Sequence, residues 1–212
     1  RLDALAAELV AWRPELIVVG HSSSAQAVQR ASPSVPIVLA GVAGALEKGF
    51  AESLARPGGQ ITGITNQGAA VVAKFVEFAH EIVPGARRMA FILNPDNPMH
   101  DAFWSTVQAA CATRNLTPVR FHANRPEQYR EAGERIARAD VQAIVVITDP
   151  QVLAWPKELA ESLQASRLPV ICGYRENVVA GGLLSYGAPL RPMFELAGDY
   201  ADKLLRGALP RD

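Results

Sequence analysis

The sequence contains few cysteines, few aromatic residues and no excess charge of either sign. Its 212 residues include 2 cysteines and 7% aromatic residues. Cys111 and Cys172 lie 61 residues apart, which fits neither a zinc-ligand spacing nor a dense disulfide framework. The 21 basic and 21 acidic residues balance, so the clustered positive charge that nucleic-acid binding needs is missing. We therefore expect no nucleic-acid partner.

Long hydrophobic runs are also missing, although 49% of the residues are apolar. The runs are short, as in LIVVG and AIVVI, whereas a membrane-spanning helix needs roughly 20 apolar residues. The sequence thus predicts no membrane-spanning segment and a core large enough for one large or two small domains. The chain opens without Met on residues typical of the middle of an α/β unit. We expect a trimmed chain whose targeting segment is absent.

Motifs for nucleotide binding and nucleophilic catalysis are absent from the sequence. There is no G-x-G-x-x-G, no Walker loop and no nucleophile elbow. His80, His100 and His122 fall in different predicted elements, so their spacing does not support a metal site. We predict no cofactor, no metal and no catalytic residue. An enzyme on a Rossmann-like scaffold is the less favoured alternative.

Eight short apolar runs alternate with amphipathic segments along the chain. Runs rich in Val and Ile that lack polar alternation, with helices between them, indicate parallel sheets covered on both faces. The sequence therefore predicts the α/β class. The runs are Leu16–Val19, Ile37–Ala40, Ile61–Ile64, Met89–Leu93, Val119–Phe121, Ala143–Ile147, Val170–Cys172 and Leu183–Ser185.

Two polar, glycine-containing segments interrupt this alternation. One surrounds the strand at 61–64, whose end becomes polar, and the other is the stretch 174–182. We expect the chain to cross between two lobes at these points, with 1–65 and 180–212 in lobe 1 and 66–179 in lobe 2. The carboxyl ends of both sheets would then surround one cleft.

Several segments closely resemble the substrate-binding proteins of ABC importers in the tryptophan/tyrosine-type family. They read LAAELVAWRPELIVVG, VPIVLAGV, SLARPGGQITGIT, VPGARRMAFILNPDNP and GGLLSYGAPLRPMFELAGDYADKLLRGALP, and the third is the most specific. The resemblance covers nearly the whole chain. It implies a type I periplasmic-binding-protein fold, in which two flavodoxin-like lobes close on a small ligand. It also implies that the protein binds its ligand outside the cytoplasm and catalyses no reaction.

The chain departs from the family pattern in two respects. Family members begin with a further strand, helix and strand, and they continue beyond the equivalent of Pro210 with another strand and helix. This implies a chain truncated at both ends, with lobe 1 incomplete. The family usually carries an Asp-Pro pair after the second strand, where this chain reads GVAGALEK at 41–48. The resemblance therefore does not fix the ligand.

Polar residues after the strands of lobe 1 are candidate ligand contacts. His21, Ser22, Ser23 and Ser24 directly follow a strand and precede a helix that we expect to begin near Ala25. Hydroxyls and free N–H groups at a helix amino terminus suit a carboxylate. Alternatively, one serine is only the N-cap and His21 only a loop residue. Asn66, at the polar end of its strand, is a further candidate.

The corresponding loops of lobe 2 carry four more polar candidates. Asn94 and Asn97 follow the strand MAFIL, but Asn, Asp and Pro also dominate turns whatever the function. Thr148 and Asp149 follow AIVVI. The Asp149 carboxylate could pair with the amino group of an amino-acid ligand, cap the next helix, or do both.

Two tyrosines near the second crossing are candidates for stacking on a planar ligand. Tyr174 follows the strand PVICG, and Tyr186 lies in the SYG segment. Half-buried packing is the alternative for each. Trp104 and Trp155 lie in predicted helical stripes, and we expect them in the core.

The sequence favours a solute-binding component of an ABC importer. Its partners would be a small organic ligand, such as an aromatic or aliphatic amino acid, and the transporter permease. The protein would be periplasmic or extracellular, with lipid anchoring as one option. A ligand-sensing domain of a signalling receptor is the alternative from another class.

Overall fold

A computed structural model describes residues 1–66 and 68–211 and contains eight strands and nine helices in these ranges. The strands are β1 Ile17–Val19, β2 Ile37–Ala43, β3 Ile61–Asn66, β4 Arg88–Leu93, β5 Thr117–His122, β6 Ala143–Val146, β7 Val170–Cys172 and β8 Leu184–Ser185. The helices are α1 Leu2–Ala11, α2 Ser22–Ala31, α3 Gly68–Ile82, α4 Met99–Ala112, α5 Pro126–Ala137, α6 Pro150–Ala154, α7 Pro156–Gln164, α8 Arg175–Val179 and α9 Leu190–Leu205. None of the helices in the described ranges combines the length and apolarity needed to span a membrane.

The strands form two parallel sheets, one with the order β1-β2-β3 and the other with the order β5-β4-β6-β7-β8. Each of the eight predicted apolar runs overlaps a strand, which confirms the predicted α/β class. The chain divides into two compact units. The first unit comprises the described residues of 1–67 and 188–212, and the second comprises 68–187.

The sheet of the first unit is covered on both faces. Ile37 and Leu39 of β2 pack in one apolar cluster with α1 and α2, while Val38 and Ala40 pack in another with α9. This division follows because successive side chains of a strand point to opposite faces. A register shift between Ala40 and Val42 creates a bulge, and Gly41 adopts there a φ of 77° that glycine tolerates best.

The sheet of the second unit is also covered on both faces, by α3 and α4 on one and by α5 and α7 on the other. Ile92 of β4 and Ile144 of β6 belong to the same apolar cluster as Tyr129 of α5 and Leu159 of α7. All four side chains are at most 2% exposed. Because both faces are buried, the central strands read as unbroken apolar runs in the sequence.

Three local predictions differ from the structure. Helix α2 begins at Ser22 rather than near Ala25, because the N–H of Ala25 already donates to the carbonyl of His21 over 2.9 Å. Trp155 is 40% exposed instead of buried. It separates α6 from α7, where Pro156 starts a new helix because proline lacks the N–H that would continue the old one. Trp104 is half-buried rather than fully in the core.

Candidate functional site

The second unit gathers five loops at one edge of its sheet. All five strands run parallel, so the loops that follow β4, β5, β6, β7 and β8 share the carboxyl edge. Ligands of open α/β sheets bind at such edges. Most of the polar residues predicted in lobe 2 lie in these loops.

The Asp149 carboxylate ties the loop after β4 to the loop after β6. Its Oδ1 accepts hydrogen bonds from Asn94 Nδ2 and from the backbone N–H of Gln151, each over 3.0 Å. Its Oδ2 accepts a hydrogen bond of 2.9 Å from Asn97 Nδ2. The hydrogen bond from the N–H of Gln151 makes Asp149 the N-cap of α6. The carboxylate is 2% exposed, and each of its oxygens already accepts at least one hydrogen bond from the protein itself.

Asn124 extends the network to the loop after β5. Its Nδ2 donates to Asn94 Oδ1 over 2.8 Å and to Asp96 Oδ2 over 2.7 Å. Asn94 Oδ1 also accepts from the backbone N–H of Asp96. Asn124 was not among the candidates predicted from the sequence. The available signal was its place directly before the first turn of α5, in a loop that parallel pairing brings to the same edge.

His100 is the second functional candidate that the sequence analysis missed, because it was considered only as a metal ligand. The imidazole is 1% exposed. Its Nδ1 accepts the backbone N–H of Asn94 over 2.8 Å, and its Nε2 donates to the carbonyl of Thr148 over 3.1 Å. These bonds require the neutral tautomer with the proton on Nε2. Burial lowers the pKa of His100, and this outweighs the opposite effect of Asp149.

Thr148 and Tyr174 lie where β6 and β7 end. A Cβ on Gly173 would lie 1.8 Å from Thr148 Cγ2, so only glycine permits this close approach. The Tyr174 ring is half-buried and packs against the apolar cluster that contains Cys172. Burial raises the pKa of Tyr174 to about 12, and nearby Asp149 acts in the same direction. The hydroxyl of Tyr174 is therefore a neutral donor at physiological pH.

Tyr186 follows β8 and lies against α3. It is 41% exposed, and its ring contacts Phe78 edge-on with the centroids 5.0 Å apart. The exposed part of Tyr186 leaves area for a further contact beside the one with Phe78.

The first unit places its candidates at two positions on its own carboxyl edge. His21 is the N-cap of α2, and the three serines form the first turn, where backbone N–H groups precede the regular helical bonds. Asn66 ends β3 and donates from Nδ2 to the carbonyl of Gly41 over 2.8 Å. Its Oδ1 is buried and has no hydrogen-bond partner among the described residues.

Metal binding has no visible support in the part of the chain that the structure describes. Within 1–66 and 68–211, no group of three His, Cys, Asp or Glu side chains is placed to hold an ion.

Sequence comparison matches the whole chain, residues 1–212, to the family described as ABC transporter substrate binding protein. The chain belongs to this family. A curated relative, the tyrosine-binding protein of Clostridioides difficile (strain R20291), is 22% identical over 206 residues. The match covers 97% of this chain and 59% of the relative. The chain thus spans about three-fifths of that relative's length.

Two solved structures share the fold. A domain from Streptococcus pneumoniae in complex with L-Trp has a TM-score of 0.86 and 21% identity, over 100% of this chain and 72% of that one. A conserved domain protein from Vibrio cholerae has a TM-score of 0.88 and 22% identity, over 99% of this chain and 70% of that one. These likenesses confirm the fold class expected from the family resemblance.

Proposed function

We propose that this chain is the solute-binding component of an ABC importer and binds an amino acid with an aromatic or aliphatic side chain. The observation that carries the proposal is the family match over residues 1–212. The choice of ligand class is supported by a relative named for tyrosine binding and by a structural neighbour solved with L-Trp. The protein would deliver the solute to the transporter permease without converting it. It would work outside the cytoplasm, either in the periplasm or attached to a lipid anchor.

Exposure indicates which carboxylate meets the ammonium group of such a ligand. Asp149 is buried and already accepts three hydrogen bonds from the protein, so a ligand ammonium group would have little access to it. Asp96 is exposed at the same edge, and Asn124 orients its Oδ2. We assign the ammonium contact to Asp96 and leave Asp149 the role of holding the loops.

The remaining contacts follow from the predicted candidates. The first turn of α2, with Ser22, Ser23 and Ser24, suits the ligand carboxylate, because its N–H groups and the helix dipole favour an anion. Tyr174 and Tyr186 would pack on the ligand side chain, while Asn97 and Thr148 supply polar contacts. That two lobes bounded near residues 66 and 180 close on one ligand stays a prediction from the sequence.

Calorimetric titration of the chain with L-tryptophan, L-tyrosine and L-leucine at about neutral pH tests the proposal. We expect saturable binding of at least one of them and recovery of the ligand unchanged. Native mass spectrometry of gently purified protein should show any solute retained from the cell. Absence of binding together with absence of a retained solute would refute the proposal, and so would conversion of the ligand.

Asp96→Asn tests the assigned ammonium contact. A charge-assisted hydrogen bond contributes about 1.5–3 kcal/mol, so the variant should bind about ten- to a hundredfold more weakly. Asp199→Asn, a change at an exposed residue of α9, is the matched control and should keep the wild-type affinity. Equal affinities of both variants would remove Asp96 from the site.

A further inference from the structure

His100 connects two loops that lie far apart in the sequence. It belongs to the first turn of α4, yet its Nε2 reaches the carbonyl of Thr148 after β6, 48 residues away. Its Nδ1 holds the backbone N–H of Asn94 at the end of β4. Since β4 and β6 are neighbouring strands, one imidazole bridges adjacent loops of the carboxyl edge and uses both of its nitrogens to do so.

The charged groups around His100 come from three directions. Asp149 Oδ2 lies 3.5 Å from Nε2 on the β6 side, and the charges of Arg120 on β5 and Asp101 on α4 also act on the ring. Asp149 and Asp101 favour a charged ring, and Arg120 and burial oppose it. Protonation of Nδ1 would also set an N–H against the N–H of Asn94, so the bridge exists only in the neutral form.

We propose that His100 is a positioning residue for ligand binding, whose neutral imidazole holds the loops after β4 and β6 so that Asn97 and Thr148 are presented to the ligand. The inference rests on the proposed function and deepens it, because it makes solute affinity sensitive to acid. The imidazole itself is buried and does not touch the ligand.

The lowered pKa of His100 determines how folding stability and ligand affinity change with pH. The pKa of His100 is lower in the folded chain than the roughly 6.5 of an unfolded histidine. Its contribution to folding stability is therefore complete above about pH 6.5 and is lost as the pH falls towards the folded-state pKa. If the protonated chain does not bind, the affinity should fall about tenfold per pH unit below that folded-state pKa.

Three variants of the chain separate positioning from mere packing. His100→Gln can accept from Asn94 and donate to Thr148 without titrating, so it should bind within about threefold of wild type at neutral pH and lose the acid dependence. His100→Leu removes both bonds and should bind at least about tenfold more weakly at every pH. His122→Gln, an exposed histidine on β5, is the control and should keep the wild-type profile.

The titrations use L-tryptophan, L-tyrosine and L-leucine from about neutral pH to about pH 4.5, with circular dichroism to confirm that each variant is folded. Wild-type affinity in folded His100→Leu would overturn the inference. A wild-type pH profile in His100→Gln would overturn it as well.

Hydrogen exchange of the ligand-free chain provides a readout that does not depend on the proposed function. In His100→Leu, the backbone amides of residues 94, 96, 97, 99 and 147–149 should exchange faster than in wild type, while the amides of α7 should not. A uniform increase in exchange rate over the whole chain, or no increase at any amide, would contradict a local positioning role. Failure of the wild type to bind any of the three amino acids, with this local exchange effect intact, would count against the proposed ligand class instead.

Discussion

Asn97 donates a hydrogen bond from its side-chain amide to Oδ2 of Asp149 over 2.9 Å, across 52 residues of sequence. Asn94 makes the equivalent bond to Oδ1. The two amides therefore approach one carboxylate from the same loop, and each presents a donor. This arrangement needs an acceptor at both oxygens of residue 149, which only a carboxylate provides.

Asp149→Asn should lower the free energy of unfolding of the ligand-free chain by about 1–3 kcal/mol, because one amide donor at position 149 would face another donor in a buried site. Chemical denaturation measures this loss. Asp199→Asn is the control and should stay within about 0.5 kcal/mol of wild type. If Asp149→Asn is equally silent, capping is its whole role, since Asn caps a helix as well as Asp does.

Tyr129→Phe should leave stability unchanged or raise it by about 1 kcal/mol. The Tyr129 ring is fully buried, and its hydroxyl has no hydrogen-bond partner among the described residues, so the wild type carries the cost of burying an unpaired polar group. Tyr129→Ala should instead cost about 3–5 kcal/mol, because it leaves a cavity. Thermal and urea unfolding compare the three chains. A clear loss in Tyr129→Phe would mean that the hydroxyl is bonded.

Gly173→Ala should destabilise the second unit, because the new Cβ would meet Thr148 Cγ2. Thr148→Ser removes that methyl group, so the double variant should recover part of the loss. A double-mutant cycle on unfolding free energies measures the coupling, expected at about 0.5–3 kcal/mol. Gly59→Ala, where a Cβ would meet nothing, is the control. If the unfolding free-energy changes of Gly173→Ala and Thr148→Ser simply add, the expected clash between the new Cβ and Thr148 Cγ2 is absent.

Cys111 and Cys172 should be unreactive in the native chain. Both are free and buried, and burial raises the pKa of the Cys111 thiol to about 11 and that of Cys172 to about 12. Because the thiolate is the reactive form, an aromatic disulfide reagent at about pH 8 should label neither thiol in folded protein and both in guanidinium chloride. Labelling before unfolding would show that one of them is accessible.

Local sequence patterns predicted the elements and the class of the fold well. The apolar runs located all eight strands, and Asp149 before Pro150 marked the start of α6. Both signals depend on the character of a few consecutive residues. Trp155 was placed wrongly because the helical pattern around it continues across Pro156, where the backbone instead breaks and turns the indole to the surface.

The α/β alternation, the family and the loops that carry polar groups could all be read from the residue pattern. The role of each polar group depends on which distant residues the fold brings beside it. Asp149 accepts side-chain amides from 52 and 55 residues away, and His100 is held neutral by burial and by the backbone N–H of Asn94 that its Nδ1 accepts. Hydrogen-bond partners of this kind are set by strand order and side-chain direction. Periodicity along the chain contains neither, because it records which face a residue occupies and not which distant residue lies beside it.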